Sequence, residues 1–463
     1  MTEEQKIQHL MRRGAFGTSI RKSAEGSLQK QIEVLFNSNN TYEKIYLPDE
    51  EIVTKRELMK MSKEERKEII QDFAANIKKL NLEWIKLMGK TDGQLREKMS
   101  LFWHGHFAAR VRGFGQVESY INTIRKYALQ NFGDLLMAVS KEPAMLRFLN
   151  NIQNKKGSPN ENFAREVMEL FTLGRGNYTE TDIKEAARAF TGWGIDDEDN
   201  FKLKTHQHDY GEKTIFGKTG HWEGEDVIRL ILDRKETAVF ICRKLYKFFV
   251  NPKVNENHLN TLSNSFYNSG YDIRKIMEEI FTSDWFYEDE NMGVQIKSPV
   301  ELIVNLNRTF GISYDNAEPL LALQRILGQT LFFPPNVAGW AGGRNWIDNS
   351  TLITRMGLPQ MLAKAGGMDF EVKNNMDDEN PNEALKQRNK LKFNCSFNWT
   401  EFSLAFEDKK DLELWSALSN RLLASKDIPP MPEYFSATNI RMPGEQIQQM
   451  AIYLTRLPEY QLA

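Results

Sequence analysis

The sequence predicts a mainly α protein: one large all-helical domain with a single small β-hairpin. Three observations carry this. Apolar residues recur at helical spacing in most segments. Convincing strand alternation occurs in one stretch, Phe201–Phe216. Two Ser-Pro-x-Glu stretches, Ser158–Glu161 and Ser298–Glu301, have the pattern of a capping box with proline at the first helical position. A chain of 463 residues, 41% hydrophobic and rich in tryptophan, can bury a large core. We therefore expect one domain over residues 1–463, with a flexible insertion at 366–383, where the run D-D-E-N-P-N is linker-like.

In chain order, His9–Ser19 reads as the end of a short helix stopped by Gly14 or Gly17. Leu28–Leu35 is a second short helical pattern, and Ser38–Glu51 a polar loop. Ser62–Met88 is a long amphipathic helix, with Ile69, Ile70, Phe73, Ile77, Leu80, Leu82 and Ile85 near helical spacing. Tyr120–Asn131, Asp134–Val139 and Ala144–Gln153 continue the helical pattern. Ile183, Ala186, Ala187 and Phe190 form a buried face that T-G-W-G ends. Further helices follow at Asp226–Leu232, Thr237–Val250, Ser263–Tyr271, Ile273–Thr282, Ser298–Arg308, Leu320–Leu327, Ser350–Ala363, Leu412–Ala424 and Gly444–Leu454. Phe332–Trp346, F-F-P-P-N-V-A-G-W-A-G-G-R-N-W, reads as an ordered irregular loop packed by tryptophan. Its glycines lack the Lys-Ser/Thr of a phosphate loop.

Composition excludes several classes. A net charge of −2 argues against a general nucleic-acid binder. No apolar run approaches the ~20 residues of a membrane span. The N-terminal residues have no apolar stretch after their charges, so neither a secretory nor a twin-arginine signal is expected; a cytoplasmic placement is, with a periplasmic one only through export together with a partner. Cys242 and Cys395 form no C-x-x-C motif and fit a reducing compartment.

The candidate site residues lie in three places. In F-W-H-G-H-F, Leu95, Met99, Phe102 and His106 share one helical stripe, with His104 about 160° away. If the helix persists through Gly105, the two histidines cannot share one ion. If Gly105 breaks it, they can. The plain reading is one core and one surface histidine. In N-E-N-F-A-R-E-V-M-E-L-F, Glu166 borders the apolar arc and needs a partner. Glu169 reads as a salt-bridge partner of Arg165. His208 and Asp209 fall at the bend of the expected hairpin, either in an Asx-type turn or in a site. His106, Glu166 and His208 are expected to converge on a shared ion or water, with His106 and Glu166 mostly buried, and His206 and His258 exposed.

Several long motifs, in order, carry a resemblance: H-L-M-R-R-G-A-F-G, F-W-H-G-H-F, N-E-N-F-A-R-E-V-M-E-L-F-T-L-G, Y-T-E-T-D, A-R-A-F-T-G-W, H-D-Y-G-E-K-T-I-F-G, K-S-P-V-E, P-P-N-V-A-G-W-A-G-G-R-N-W-I and L-P-E-Y-Q-L. Together they resemble the bacterial domain-of-unknown-function family numbered 1800 over nearly the whole chain. Positions matching its polar signature are His104, His106, Asn160, Glu161, Asn162, Arg165, Glu166, Glu169, His208, Asp209 and Lys213. The resemblance implies no established activity. It implies export for many members, beside a companion family that bears a twin-arginine signal. Two functional expectations follow. One is a partner or chaperone-like accessory protein for such a neighbouring exported protein. The alternative is a metal-dependent enzyme, with His104, His106, Glu166, Glu169 and His208 as ligands to Zn, Fe or Mn, and Glu166, His208 and Asp209 as catalytic groups.

Overall fold

The computed structural model describes residues 1–20, 26–38, 42–47, 57, 60–110, 113–364, 367–368, 391–425, 427–436 and 443–463. The architecture is mainly α, as the periodicity predicts. The longest helix, Lys63–Lys90, opens on a capping box in which Ser62 accepts from the Glu65 N–H and the Glu65 carboxylate returns to the Ser62 N–H. It packs against Phe114–Tyr127 and Pro299–Phe310, while Gln94–His106 packs against Phe114–Tyr127 and Glu3–Gly14. Buried apolar side chains from Leu10 to Tyr460 form one continuous cluster. Within it, Trp84 donates to Glu97 (2.8 Å), and Arg125 holds the same carboxylate through Nε and Nη2 (both 2.9 Å at closest). That pairing keeps a buried charge from standing alone.

No described helix is long and apolar enough to cross a membrane. The expected insertion at 366–383 lies, apart from Gly367–Met368, outside the described residues.

The β content is small but differs in its pairing from the expected hairpin. Phe201–Leu203 pairs with Trp193–Ile195, and Lys213–Ile215 with Lys218–Gly220, both antiparallel. Two turns decide this. Asp196 Oδ1 accepts the Glu198 and Asn200 N–H groups, folding the chain back onto Trp193–Ile195. Phe216 and Gly217 both have positive φ (51° and 73°), the signature of a tight two-residue hairpin turn. Two further short ladders join Ser313–Asn316 to Asn394–Ser396 and Gly367–Met368 to Leu391–Lys392.

The Ser298 capping box forms as expected, with Pro299 in the first turn. The Ser158 box does not. Asn160 gives its N–H to Asn154 Oδ1 and accepts the Asn162 N–H, so the helix starts at Asn162. The Ser158 N–H that the box would have used goes to the Lys155 carbonyl (2.9 Å), and asparagine side chains order the turn that follows.

Candidate functional site

The helix Gln94–His106 runs through Gly105, so His104 and His106 leave it on different faces. His104 is fully buried between Trp84, Phe332 and Trp340. Its Nε2 accepts the Phe332 N–H (3.1 Å), and burial pushes its pKa down to about 3, so the ring is neutral. It therefore pins the irregular loop to the helix. His106 gives Nε2–H to the Phe171 carbonyl (3.1 Å), and its Nδ1 accepts from Lys244 Nζ (3.1 Å). Burial, with the Lys244 ammonium beside it, holds this imidazole well below the usual range.

Glu166 is half-buried rather than mostly buried, because it sits at the edge of the apolar face. Burial, and then the neighbouring Glu169, raise its pKa. Glu169 is held low by Tyr178 (2.5 Å) and Arg175 (2.6 Å). Arg165 is not its partner. That guanidinium pairs with Glu161 (3.0 Å) and Glu180 (2.7 Å).

His208 is buried and donates Nδ1–H to the Thr191 carbonyl (2.7 Å). Asp209 takes Arg188 Nε (2.9 Å) and the Gly211 N–H (2.9 Å), as an Asx turn does. Arg188, with the Gly211 bond, keeps this carboxyl below its usual range. Lys213 is buried and gives its ammonium to the Asp209 and Gly211 carbonyls (2.6 and 2.9 Å). His206 is exposed as expected. His258 is partly buried instead, because its ring stacks on Trp285 at 4.4 Å.

His106 and His208 thus end on separate partners. Among the described residues, no group of three or more His, Cys, Asp or Glu side chains is gathered as a metal ion requires.

A different place does gather charge. A cavity of about 500 Å³ opens beside His106 and is lined by Arg12, Arg13, Lys98, Lys244 and Lys247, with Glu301 as its one lining side-chain carboxylate and Ala463, with its terminal carboxylate, at its edge. That volume lies within the range of small-molecule sites. Glu301 is already neutralised: Lys98 Nζ lies 2.5 Å from Oε1, and the Ser298 N–H donates to Oε2 (2.7 Å). Burial alone would raise the Glu301 pKa, but Lys98 and Ser298 outweigh it and hold it low.

The guanidiniums face backbone carbonyls, and Arg13 Nη1 in addition gives a longer bond to the terminal Ala463 (3.3 Å). Arg12 donates to Asn420 O (2.7 Å), and Arg13 to Phe249 O (2.9 Å) and Val250 O (2.5 Å), where it closes the end of helix Lys235–Phe249. Behind the wall, buried Lys297 donates to Tyr460 O (2.6 Å), and buried Arg355 to Lys297 O (2.5 Å). Burial drives the Lys297 ammonium well below its usual pKa, and brings Lys244 down to about 8. The wall and its support carry a clear excess of positive charge.

The opposite wall is the irregular loop. Ala338, Trp340, Ala341 and Trp346 line the cavity, with Phe102 and Phe248 across from them. The loop is seated on Gly105, whose carbonyl would lie 2.3 Å from a Cβ placed on Gly339. Gly105 itself lines the cavity, and a Cβ there would meet no heavy atom within 4 Å. This gives a testable separation. Gly105→Ala should stabilise the helix by about 0.5–1 kcal/mol, seen as a higher melting temperature. Gly105→Leu should fill the cavity and weaken any ligand.

Arg12, Arg13, Lys98, Lys244 and Glu301 are residues that sequence reasoning missed as a site. Their signal was present but divided: R-R inside the first helix, and a lysine within the apolar run A-V-F-I-C-R-K-L-Y-K-F-F-V. Stretches quoted for the resemblance meet here, since Arg12, Arg13, Gly105, His106, Glu301 and Trp340 all belong to them. The family model described as a protein of unknown function, DUF1800, matches residues 9–462. No curated protein and no solved structure matches the chain.

Proposed function

The chain belongs to the DUF1800 family of proteins of unknown function, and for this member we propose that the cavity binds a small amphipathic anion: a phosphate or carboxylate on an apolar or aromatic body. The observation that carries this is the wall of Arg12, Arg13, Lys98, Lys244 and Lys247, five cations against two carboxylates, of which Glu301 is already neutralised by Lys98 and the Ala463 terminus is met by Arg13. Cations packed together at low dielectric repel one another, and a bound anion relieves that repulsion. Phe102, Phe248, Trp340 and Trp346 supply the apolar face. The metal-dependent enzyme has no such observation in its favour, since His106 spends both ring nitrogens on Phe171 and Lys244. The accessory-partner reading rests on the resemblance alone.

Calorimetry with pyridoxine 5′-phosphate, an aromatic phosphate without a reactive carbonyl, tests the proposal. Lys247 is exposed at the rim, so its substitution leaves the core intact. Lys247→Glu should weaken binding by about tenfold. Lys86→Glu, remote from the cavity, should not. Equal affinities for wild type and Lys247→Glu would refute the reading.

Affinity should also depend on pH. Lys244 is charged below about 8 and neutral above it. As pH rises through that value the wall loses one positive charge, while the phosphate stays dianionic. Binding should therefore weaken by roughly threefold to tenfold between pH 7 and 9.5. Lys244→Arg, which keeps its charge, should flatten the profile.

A further inference from the structure

We propose that Lys244 is an imine-forming amine, so that the anions this cavity takes include carbonyl compounds: an aldehyde or ketone that also carries a phosphate or carboxylate. This rests on the reading of the cavity as an anion site and deepens it.

Three features of the geometry single out Lys244. Its Nζ has two hydrogen-bond acceptors, His106 Nδ1 (3.1 Å) and the Leu170 carbonyl (3.2 Å), and both are neutral. Among the described residues no carboxylate forms an ion pair with it, unlike Lys98, whose ammonium is locked on Glu301. It also lines the cavity, where Lys247 lies one helical turn further along the same wall. An amine in an apolar pocket beside another cation and without a counter-ion is the arrangement that frees a lysine to act as a nucleophile.

His106 fixes the direction of the amine. Its Nε2–H is committed to the Phe171 carbonyl, so Nδ1 presents a lone pair and accepts one N–H of Lys244. The Leu170 carbonyl takes a second. The remaining position on nitrogen has no hydrogen-bonding oxygen or nitrogen among the described residues; the ammonium also lies 4.8 Å from the centre of the Phe240 ring. His106 is thus a positioning residue.

The step balances without a further reagent. The ammonium first gives one proton to solvent. The nitrogen lone pair attacks the carbonyl carbon and forms a C–N bond. The two protons still on nitrogen leave with the carbonyl oxygen as water, and a C=N bond remains. The cationic wall holds the phosphate or carboxylate of the same molecule, and this selects anionic carbonyl compounds over neutral ones.

The test is borohydride trapping on the full chain. The protein is incubated with pyridoxal 5′-phosphate, reduced, digested and read by mass spectrometry. The expected result is one label, on Lys244, suppressed by excess pyridoxine 5′-phosphate. Lys244→Arg keeps the charge and cannot form the imine. It should lose about tenfold or more of the label when wild type and variant are compared at pyridoxal 5′-phosphate concentrations that saturate each, as set by their own affinities for pyridoxine 5′-phosphate. His106→Asn should slow labelling of Lys244 at saturating pyridoxal 5′-phosphate, since the amine loses the acceptor that directs it. Label spread over surface lysines, or equal label in Lys244→Arg, would overturn the proposal. If pyridoxine 5′-phosphate binds and no label forms, only this inference fails. If neither compound binds, the anion reading of the cavity fails with it.

Discussion

Glu301→Gln should destabilise the protein by about 3–5 kcal/mol, the range for removing one partner of a buried ion pair. Only 4% of the Lys98 side chain and 13% of the Glu301 side chain are exposed, and they meet at 2.5 Å. Glu301 also offsets Arg13, Lys297 and Arg355, each of which feels its charge. Glutamine keeps the volume and can still accept the Ser298 N–H as the third residue of a capping box. The loss therefore reports charge and not capping. Glu301→Ala removes both and should cost about 1 kcal/mol more. Chemical denaturation of the two variants measures each part.

The same substitution tests the cavity. With its carboxylate gone, the wall repels itself more strongly, so an anion should stabilise Glu301→Gln more than wild type. Phosphate or pyridoxine 5′-phosphate should raise the variant's melting temperature by the larger increment. An identical increment in both proteins would show that the cluster and the ligand do not interact. Acid should act in the same direction. The Glu301 pKa is lowered in the folded state, so its contribution is present above the ordinary carboxyl value and is lost as pH falls through the folded one. Wild type should lose stability in that window more steeply than Glu301→Gln.

The fold was legible where a local rule acts alone. Ile77, Leu80 and Ile85 mark the buried face of Lys63–Lys90, and the Ser298 box fixes the start of its helix to the residue. It was less legible where two local rules compete. Ser158 has the same box pattern, yet its N–H goes to the Lys155 carbonyl, and Asn154 and Asn160 fold the next residues into a turn. Strand pairing failed for a related reason. The sequence marks Phe201–Lys204 and Thr214–Phe216 as the two strands of one hairpin, but the turns at Asp196 and at Phe216–Gly217 choose other partners.

The site was the least legible part. Wheel geometry placed His106 inside and Glu166 at an edge, and both positions hold. It could not say that His106 would meet Lys244, far along the chain, on a helix read only as apolar. Residue type drew attention to histidines and carboxylates, whereas the cavity is built from arginines and lysines. Each of these, taken singly in the sequence, resembles the solvated face of a helix. Only the packing of Glu3–Gly14, Gln94–His106, Lys235–Phe249 and Pro299–Phe310 around one space shows that they share it.

Gly339→Ala should be the most damaging single methyl in the loop, at about 2–5 kcal/mol. Two costs add. Gly339 has φ of +76°, a conformation in which any other L-residue is strained. Its Cβ would also lie 2.3 Å from the Gly105 carbonyl oxygen, a backbone atom inside a helix that cannot turn aside. The loop must then lift from the helix. Two contacts oppose this: Phe332, held by His104 at 3.1 Å and stacked on Trp84, and Trp340, packed on the same histidine. Lifting separates Trp340 and Ala338 from the cationic wall and opens the cavity to water. The variant should therefore lose pyridoxine 5′-phosphate binding by more than its stability loss explains, measured well below its melting temperature. Gly343→Ala is the matched control. It too has positive φ (56°) and lines the cavity, but its Cβ would meet nothing within 4 Å. It should show the backbone strain of about 1–2 kcal/mol without the clash. If both variants fall by the same amount, the contact with Gly105 does not hold the loop, and the cavity's far wall has another support.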